Sequence, residues 1–223
     1  MEHLTRRLFL ALTVLFCTLG GGTSLANSEE GAVAPASIEA LMNRFAASGN
    51  VRARFRETLH LSLLTAPIET EGMLYFAPPD RLARYTTRPG SSSVVINADR
   101  VAFSDETGHQ VLDLGSSEAA RHLVGNLVIL LRGDLATLRA RYSLSFRSDG
   151  QDWVLDLEPR SRIVRGIVEW IRVKGRIGLT EMETRQAGGD TTVTVFSDVE
   201  TGLDFTPTEL ERIFSLEDRD GAP

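Results

Sequence analysis

Few side chains in this sequence have the type and spacing that chemistry requires. Three histidines lie beyond the N-terminal stretch, His60, His109 and His122, on segments that read as a strand, a turn and a helix, so no two share an element. His109 has Asp105, Glu106 and Asp113 nearby, a nitrogen and oxygen donor set that a divalent cation could use. A turn at Thr107-Gly108 carries them, and carboxylates on such a turn are ordinarily solvated, so no metal site is expected. Ser116-Ser117 lacks the glycine frame of a nucleophile elbow, and no phosphate loop or zinc pattern occurs. The basic run Arg160-Ser161-Arg162 with Arg165 could touch anionic head groups or a partner, but a solvated loop is the simpler account and the expected one. We expect no catalytic residue, no metal and no cofactor, which leaves binding.

The elements that could form a binding site start with the stretch from Val51 to Leu64. Val51, Ala53, Phe55, Leu59, Leu61 and Leu63 fall on one side of a two-residue period, and Arg52, Arg54, Arg56, Thr58, His60 and Ser62 on the other. That is a long strand with one apolar and one wet face. Glu57 sits on the apolar side, where an unpartnered carboxylate is costly. It is expected at a rim or at a strand irregularity.

The chain opens with Arg6 and Arg7, an apolar run from Leu8 to Leu19, and the small-residue pattern Ser24-Leu25-Ala26. This reads as a signal peptide over residues 1–26, cleaved after Ala26. The run is short for a membrane span. The single cysteine, Cys17, lies within it and follows the bulky Phe16, so neither a disulfide nor an acylated cysteine is expected. Formal net charge is −6, and loss of Arg6, Arg7 and Glu2 with the leader leaves the rest slightly more acidic. An acidic balance without a dense basic block argues against nucleic acid as partner.

Residues 27–35 read as a flexible leader, 36–216 as one domain and 217–223 as a disordered tail. Within the domain, Ser37 caps a helix bearing Ile38, Leu41, Met42 and Phe45, ended by Gly49. Strands follow at 68–76, 81–88, 93–97, 101–104 and 110–114, separated by turns such as Pro78-Pro79-Asp80 and Pro89-Gly90. The period then becomes helical over 116–132, with Ala119, Leu123, Leu127, Leu130 and Leu131, and again over 134–140. Strands resume at 142–147, 152–159, 167–174, 177–186 and 191–199, and Thr206-Pro207 opens a capped helical turn. Counting the first strand gives about eleven, far above the share of a mixed domain. Such a sheet curls, and its apolar face needs a cover that the helices can supply.

In this order the motifs resemble the periplasmic outer-membrane lipoprotein carrier family, LolA and its relatives. The resemblance rests on the leader helix before Val51-Arg52-Ala53-Arg54-Phe55 and on Gly72-Met73-Leu74-Tyr75-Phe76 running into Pro79-Asp80-Arg81-Leu82. It continues through Asn97-Ala98-Asp99, the helical Leu123 to Arg132, Ser148-Asp149-Gly150 and the strands after Ile167. It implies an α+β fold, an unclosed antiparallel half-barrel with short helices as a lid over a hydrophobic cavity. It also implies a monomer that shelters acyl chains of lipoproteins in the periplasm and touches membranes transiently, between an inner-membrane exporter and an outer-membrane acceptor.

The cavity would be lined by Phe55, Leu59, Leu61, Leu74, Phe76, Leu82 and Tyr85 from the sheet and Leu123, Leu127 and Leu130 from the helices. Where family members place a basic lid-closing residue before the turn proline, this chain has Pro78, so the gate candidates are Pro78, Arg81 and Arg84. That departure suggests a divergent branch, and an alternative cargo is a lipid, glycolipid or aryl-polyene ester handled with an RND-like exporter. From other classes, a protein-binding scaffold with a shut sheet and an enzyme acting on lipids are the competing expectations.

Overall fold

A computed structural model describes residues 33–114 and 127–217. The expected signal peptide, most of the leader, the candidate Leu123 and the last six residues of the tail lie outside the described residues.

Ser37 caps helix α1 (Ile38–Ala46), its hydroxyl accepting from the Ala40 amide, and Leu41, Met42 and Phe45 form the helix's buried stripe. Gly49, at φ +63°, turns the chain into the sheet, a left-handed conformation that favours glycine. The strands are β1 (Asn50–His60), β2 (Ile68–Ala77), β3 (Arg81–Arg88), β4 (Ser92–Asn97), β5 (Arg100–Asp105), β6 (Gly108–Asp113), β7 (Tyr142–Ser148), β8 (Trp153–Pro159), β9 (Val168–Gly175), β10 (Leu179–Gln186) and β11 (Thr191–Leu203). All eleven form one sheet in the order β6-β5-β4-β3-β2-β1-β11-β10-β9-β8-β7. Every neighbour except the β1–β11 pair is a chain neighbour, so short turns set the register and one long-range pairing joins the two halves. The result is the expected antiparallel half-barrel, open between β6 and β7.

Alternation along the strands divides the apolar residues between two faces. The inner face carries Ala53, Phe55, Leu74, Phe76, Leu82, Ile96, Val101, Leu155 and Phe196, which share one core with α1, with the helical residues 127–131 and with Leu138 of α2 (Leu135–Arg141). The outer face of β2 to β5 carries Tyr75, Ala77, Ala83, Tyr85, Val95 and Ala102. Ile213 and Phe214, at the end of α4 (Pro207–Ile213), cover that patch. The sequence reading assigned all helices to the inner face, and α4 departs from it. Its capping box, Thr206 with Glu209, forms as the sequence suggests.

Two other expectations change. The first strand stops at His60, because β2 pairs no further than Leu59↔Ile68 and a turn intervenes, with the Leu64 amide donating to the Leu61 carbonyl at 3.0 Å. Leu61 is therefore half-buried beyond the strand, and Leu63 is 95% exposed instead of lining the inner face. The basic run at 160–165, read as a loop, winds into the single helical turn α3 (Arg162–Arg165), on which Val164 is buried.

Candidate lipid-binding cavity

The inner face has an apolar end and a polar end. At the apolar end, where β1 begins, α1 lies across the sheet and leaves a pocket of about 140 Å³. Its walls are Phe45 of α1, Ser48 in the turn after it, Val51 and Ala53 of β1, Leu74 of β2, Phe196 of β11, Leu131, and the hairpin residues Ile177 to Leu179. Apart from Ser48, Arg44 and Thr201 this lining offers no polar side chain. An acyl chain would be held there by transfer from water, worth roughly 0.8 kcal/mol per methylene. Ligand pockets usually measure about 300 to 1,000 Å³, and this one is smaller.

One side chain ties the covering helix to the pocket rim. Arg44 of α1 donates from Nη1 to the Ile177 carbonyl at 2.9 Å and from Nη2 to the Val33 carbonyl at 3.2 Å. It spans the mouth between the helix, the β9–β10 hairpin and the segment before α1. Behind the lid, Phe45 meets the ring of Trp153 edge-on, with centroids 5.9 Å apart. The Trp153 indole nitrogen is buried without a partner among the described residues. Gly175 must remain glycine beside it, since a Cβ there would stand 2.4 Å from the indole.

The polar end is built from residues that face inward on four adjacent strands, β3, β2, β1 and β11. Glu57 on β1 is flanked in register by Thr70 on β2 and Thr194 on β11. Arg84 on β3 passes across β2 and clasps the Glu57 carboxylate, with the Thr194 hydroxyl donating to the same carboxylate at 2.9 Å. The inward position on β2 between Leu74 and Thr70 is Gly72, so no side chain stands in that path. The Arg84 guanidinium lies over the Phe55 ring, 4.2 Å from its centroid, which adds cation–π attraction in a site with little water. The expectation that Glu57 sits at a rim is thus corrected. It is buried on the inner face because a cation two strands away neutralises it.

The sequence candidates fall as follows. Phe55, Leu59, Leu74, Phe76, Leu82 and Leu130 are buried, and Leu127 is half-buried against the core. Of these Leu74 borders the pocket, Phe55, Phe76, Leu82, Leu127 and Leu130 share the inner core, and Leu59 is buried outside that cluster. Tyr85 belongs to the outer face, because it alternates with the inward Leu82 and Arg84, and its hydroxyl donates to the Ile213 carbonyl at 2.8 Å. Among the gate candidates, Pro78 is exposed at the β2–β3 turn, and Arg81 stacks on Phe214 on the outer face at 5.8 Å. Arg84 is committed to Glu57. Arg44, which does touch the lid, was missed. Its partner Ile177 lies 133 residues away, and nothing local in the sequence signals the contact.

Residues 31–203 match the family model described as outer membrane lipoprotein carrier protein LolA-like. No curated protein matches the chain. Among solved structures it is similar to a LolA superfamily protein from Nitrosomonas europaea at 13% identity, covering 80% of this chain and 97% of that one with a TM-score of 0.46. A MucA/MucB complex from Pseudomonas aeruginosa aligns at 13% identity over 78% of this chain and 60% of that one, TM-score 0.47. The Mycobacterium tuberculosis lipoprotein LppX aligns at 9% identity over 74% and 93%, TM-score 0.36. With the family model spanning most of the chain, from the residues before α1 to the last strand, this protein belongs to the outer membrane lipoprotein carrier LolA-like family.

Proposed function

We propose that the protein is a periplasmic carrier that shelters acyl chains of lipoproteins between α1 and the inner face of the half-barrel, moving them from an inner-membrane exporter to an outer-membrane acceptor. The observation that carries this reading is the lid: a helix whose apolar stripe closes on an apolar pocket and whose rim contact is a single arginine. The small pocket fits a carrier at rest. Lifting α1 would expose Leu41, Met42 and Phe45 together with Ala53, Leu74 and Phe196, a continuous apolar surface that an acyl chain can replace α1 in covering. Release then follows from lid closure or from a more apolar acceptor, since a carrier's affinity must differ between its two states. Phe55, Phe76, Leu82 and Leu130 form the deeper wall in this proposal, and the protein performs no chemistry on its cargo.

Uptake of a fluorescent fatty-acyl probe tests the reading. Wild type takes up the probe, and Ala53→Phe, which fills the pocket, lowers uptake while the fold is retained. Equal uptake by both proteins would place the probe elsewhere. A lipid or glycolipid ester as cargo, in place of a lipoprotein, would be identified by what copurifies.

A further inference from the structure

The end of the sheet opposite the pocket carries a row of three loops that expose apolar and basic side chains. The β1–β2 turn presents Leu63, 95% exposed, and Leu64, 50% exposed. The turn α3 presents Ile163, 60% exposed, flanked by the exposed Arg162 and Arg165. Between them lies the β10–β11 turn, Ala187-Gly188-Gly189-Asp190, which has almost no side chain to obstruct a flat surface. Hydrogen bonds join the three: the Ser62 amide donates to Asp190 Oδ1 at 2.8 Å, and the Ala187 amide donates to the Ile167 carbonyl at 3.0 Å. The apolar tips are thus held in one row by one backbone-to-carboxylate and one backbone–backbone hydrogen bond. Arg162 and Arg165 have no acidic partner among the described residues, whereas many exposed arginines of the sheet, Arg52, Arg54, Arg56 and Arg88 among them, are paired.

We propose that this row is a membrane-docking edge that inserts Leu63, Leu64 and Ile163 among the head groups of an anionic bilayer while Arg162 and Arg165 pair with lipid phosphates. A large aliphatic side chain left almost wholly in water gains free energy by entering the interface. Unpaired arginines beside it select an anionic surface at short range, and this local charge contrasts with the acidic chain as a whole. Such docking rests on the carrier reading above and adds an orientation: the Arg44-closed mouth stays clear of the bilayer, accessible to a second protein.

The test is flotation of the protein with vesicles of zwitterionic phosphatidylcholine alone and of phosphatidylcholine mixed with anionic phosphatidylglycerol. Wild type is compared with Leu63→Ser/Leu64→Ser and with Arg162→Gln/Arg165→Gln. All carry the same N-terminus, so any contribution of the apolar run at 8–19 is common, and the exposed sites make loss of fold simple to exclude by thermal unfolding. The leucine pair should weaken binding at least about tenfold on both vesicles. The arginine pair should weaken it about thirtyfold on the mixed vesicles and leave phosphatidylcholine binding unchanged. Equal binding by all three proteins, or none by wild type, overturns the proposal. So does self-association of wild type that the leucine pair abolishes, which would assign the row to a second copy. Acyl-probe uptake on the same samples separates the two readings: uptake without flotation removes the docking edge alone, and flotation without uptake removes the carrier.

Discussion

Arg84 holds Glu57 through two hydrogen bonds of 2.9 and 3.1 Å across an intervening strand, with both side chains almost entirely out of water. Removing one partner of such a pair strands the other charge, at about 3 to 5 kcal/mol, whereas replacing both with apolar groups of similar volume is often neutral or stabilising. Arg84→Met or Glu57→Leu alone should therefore lower stability by that amount, and the double variant should recover most of it. Urea unfolding of the four proteins closes the cycle.

Arg44 should govern how readily the lid opens. Its two bonds are charge-assisted, each worth about 1.5 to 3 kcal/mol where buried and less where solvated. Arg44→Met should cost about 1 to 2 kcal/mol in stability and raise the initial rate of acyl-probe uptake several-fold. A variant that loses stability but takes up probe no faster would reduce Arg44 to a structural tie.

Gly133, at φ +71°, connects the helical residues 127–131 to α2, and a Cβ there would lie 2.2 Å from the Met42 carbonyl of α1. Neither backbone can give way without moving the lid. Gly133→Ala should therefore destabilise by at least about 2 kcal/mol through backbone strain and overpacking. Alanine at the open Gly188, where a Cβ meets nothing, is the control.

Stability should fall on the acid side. Asp134 caps α2, and the Thr137 amide and hydroxyl, followed by Arg132, hold its carboxyl below the usual aspartate range. Backbone amides act likewise on Asp149 and Glu209. A depressed carboxyl contributes stability that is present above its unfolded value and disappears as pH falls through the folded one. Thermal midpoints should thus stay level at neutral pH and decline below about pH 4, with Asp134→Asn showing a shallower decline.

The two-residue period along β1, β8 and β11 and the turn residues made the meander legible in the sequence. Each strand needs only its neighbour, so local pattern carries most of the topology. The Glu57–Arg84 pair was half legible: Glu57 falls on the apolar phase of β1, which signals a partner, but register is needed to show that Arg84 is that partner. The end of β1 was misread because Leu61 and Leu63 keep the alternation after the pairing has ceased. Tyr85 does not line the cavity with Leu82 because the two stand three residues apart on β3, and the two-residue period puts them on opposite faces. Arg44 was invisible, since its acceptors are backbone carbonyls, which no residue type advertises.

The most direct test of the carrier account is native mass spectrometry of the protein purified from its own cells without detergent, with extraction of whatever is bound. The account predicts an acylated protein or a lipid retained at one per chain, and displacement of a fluorescent acyl probe by the extracted compound. A protein that is empty as purified and takes up no acyl probe, even as Arg44→Met, would contradict it.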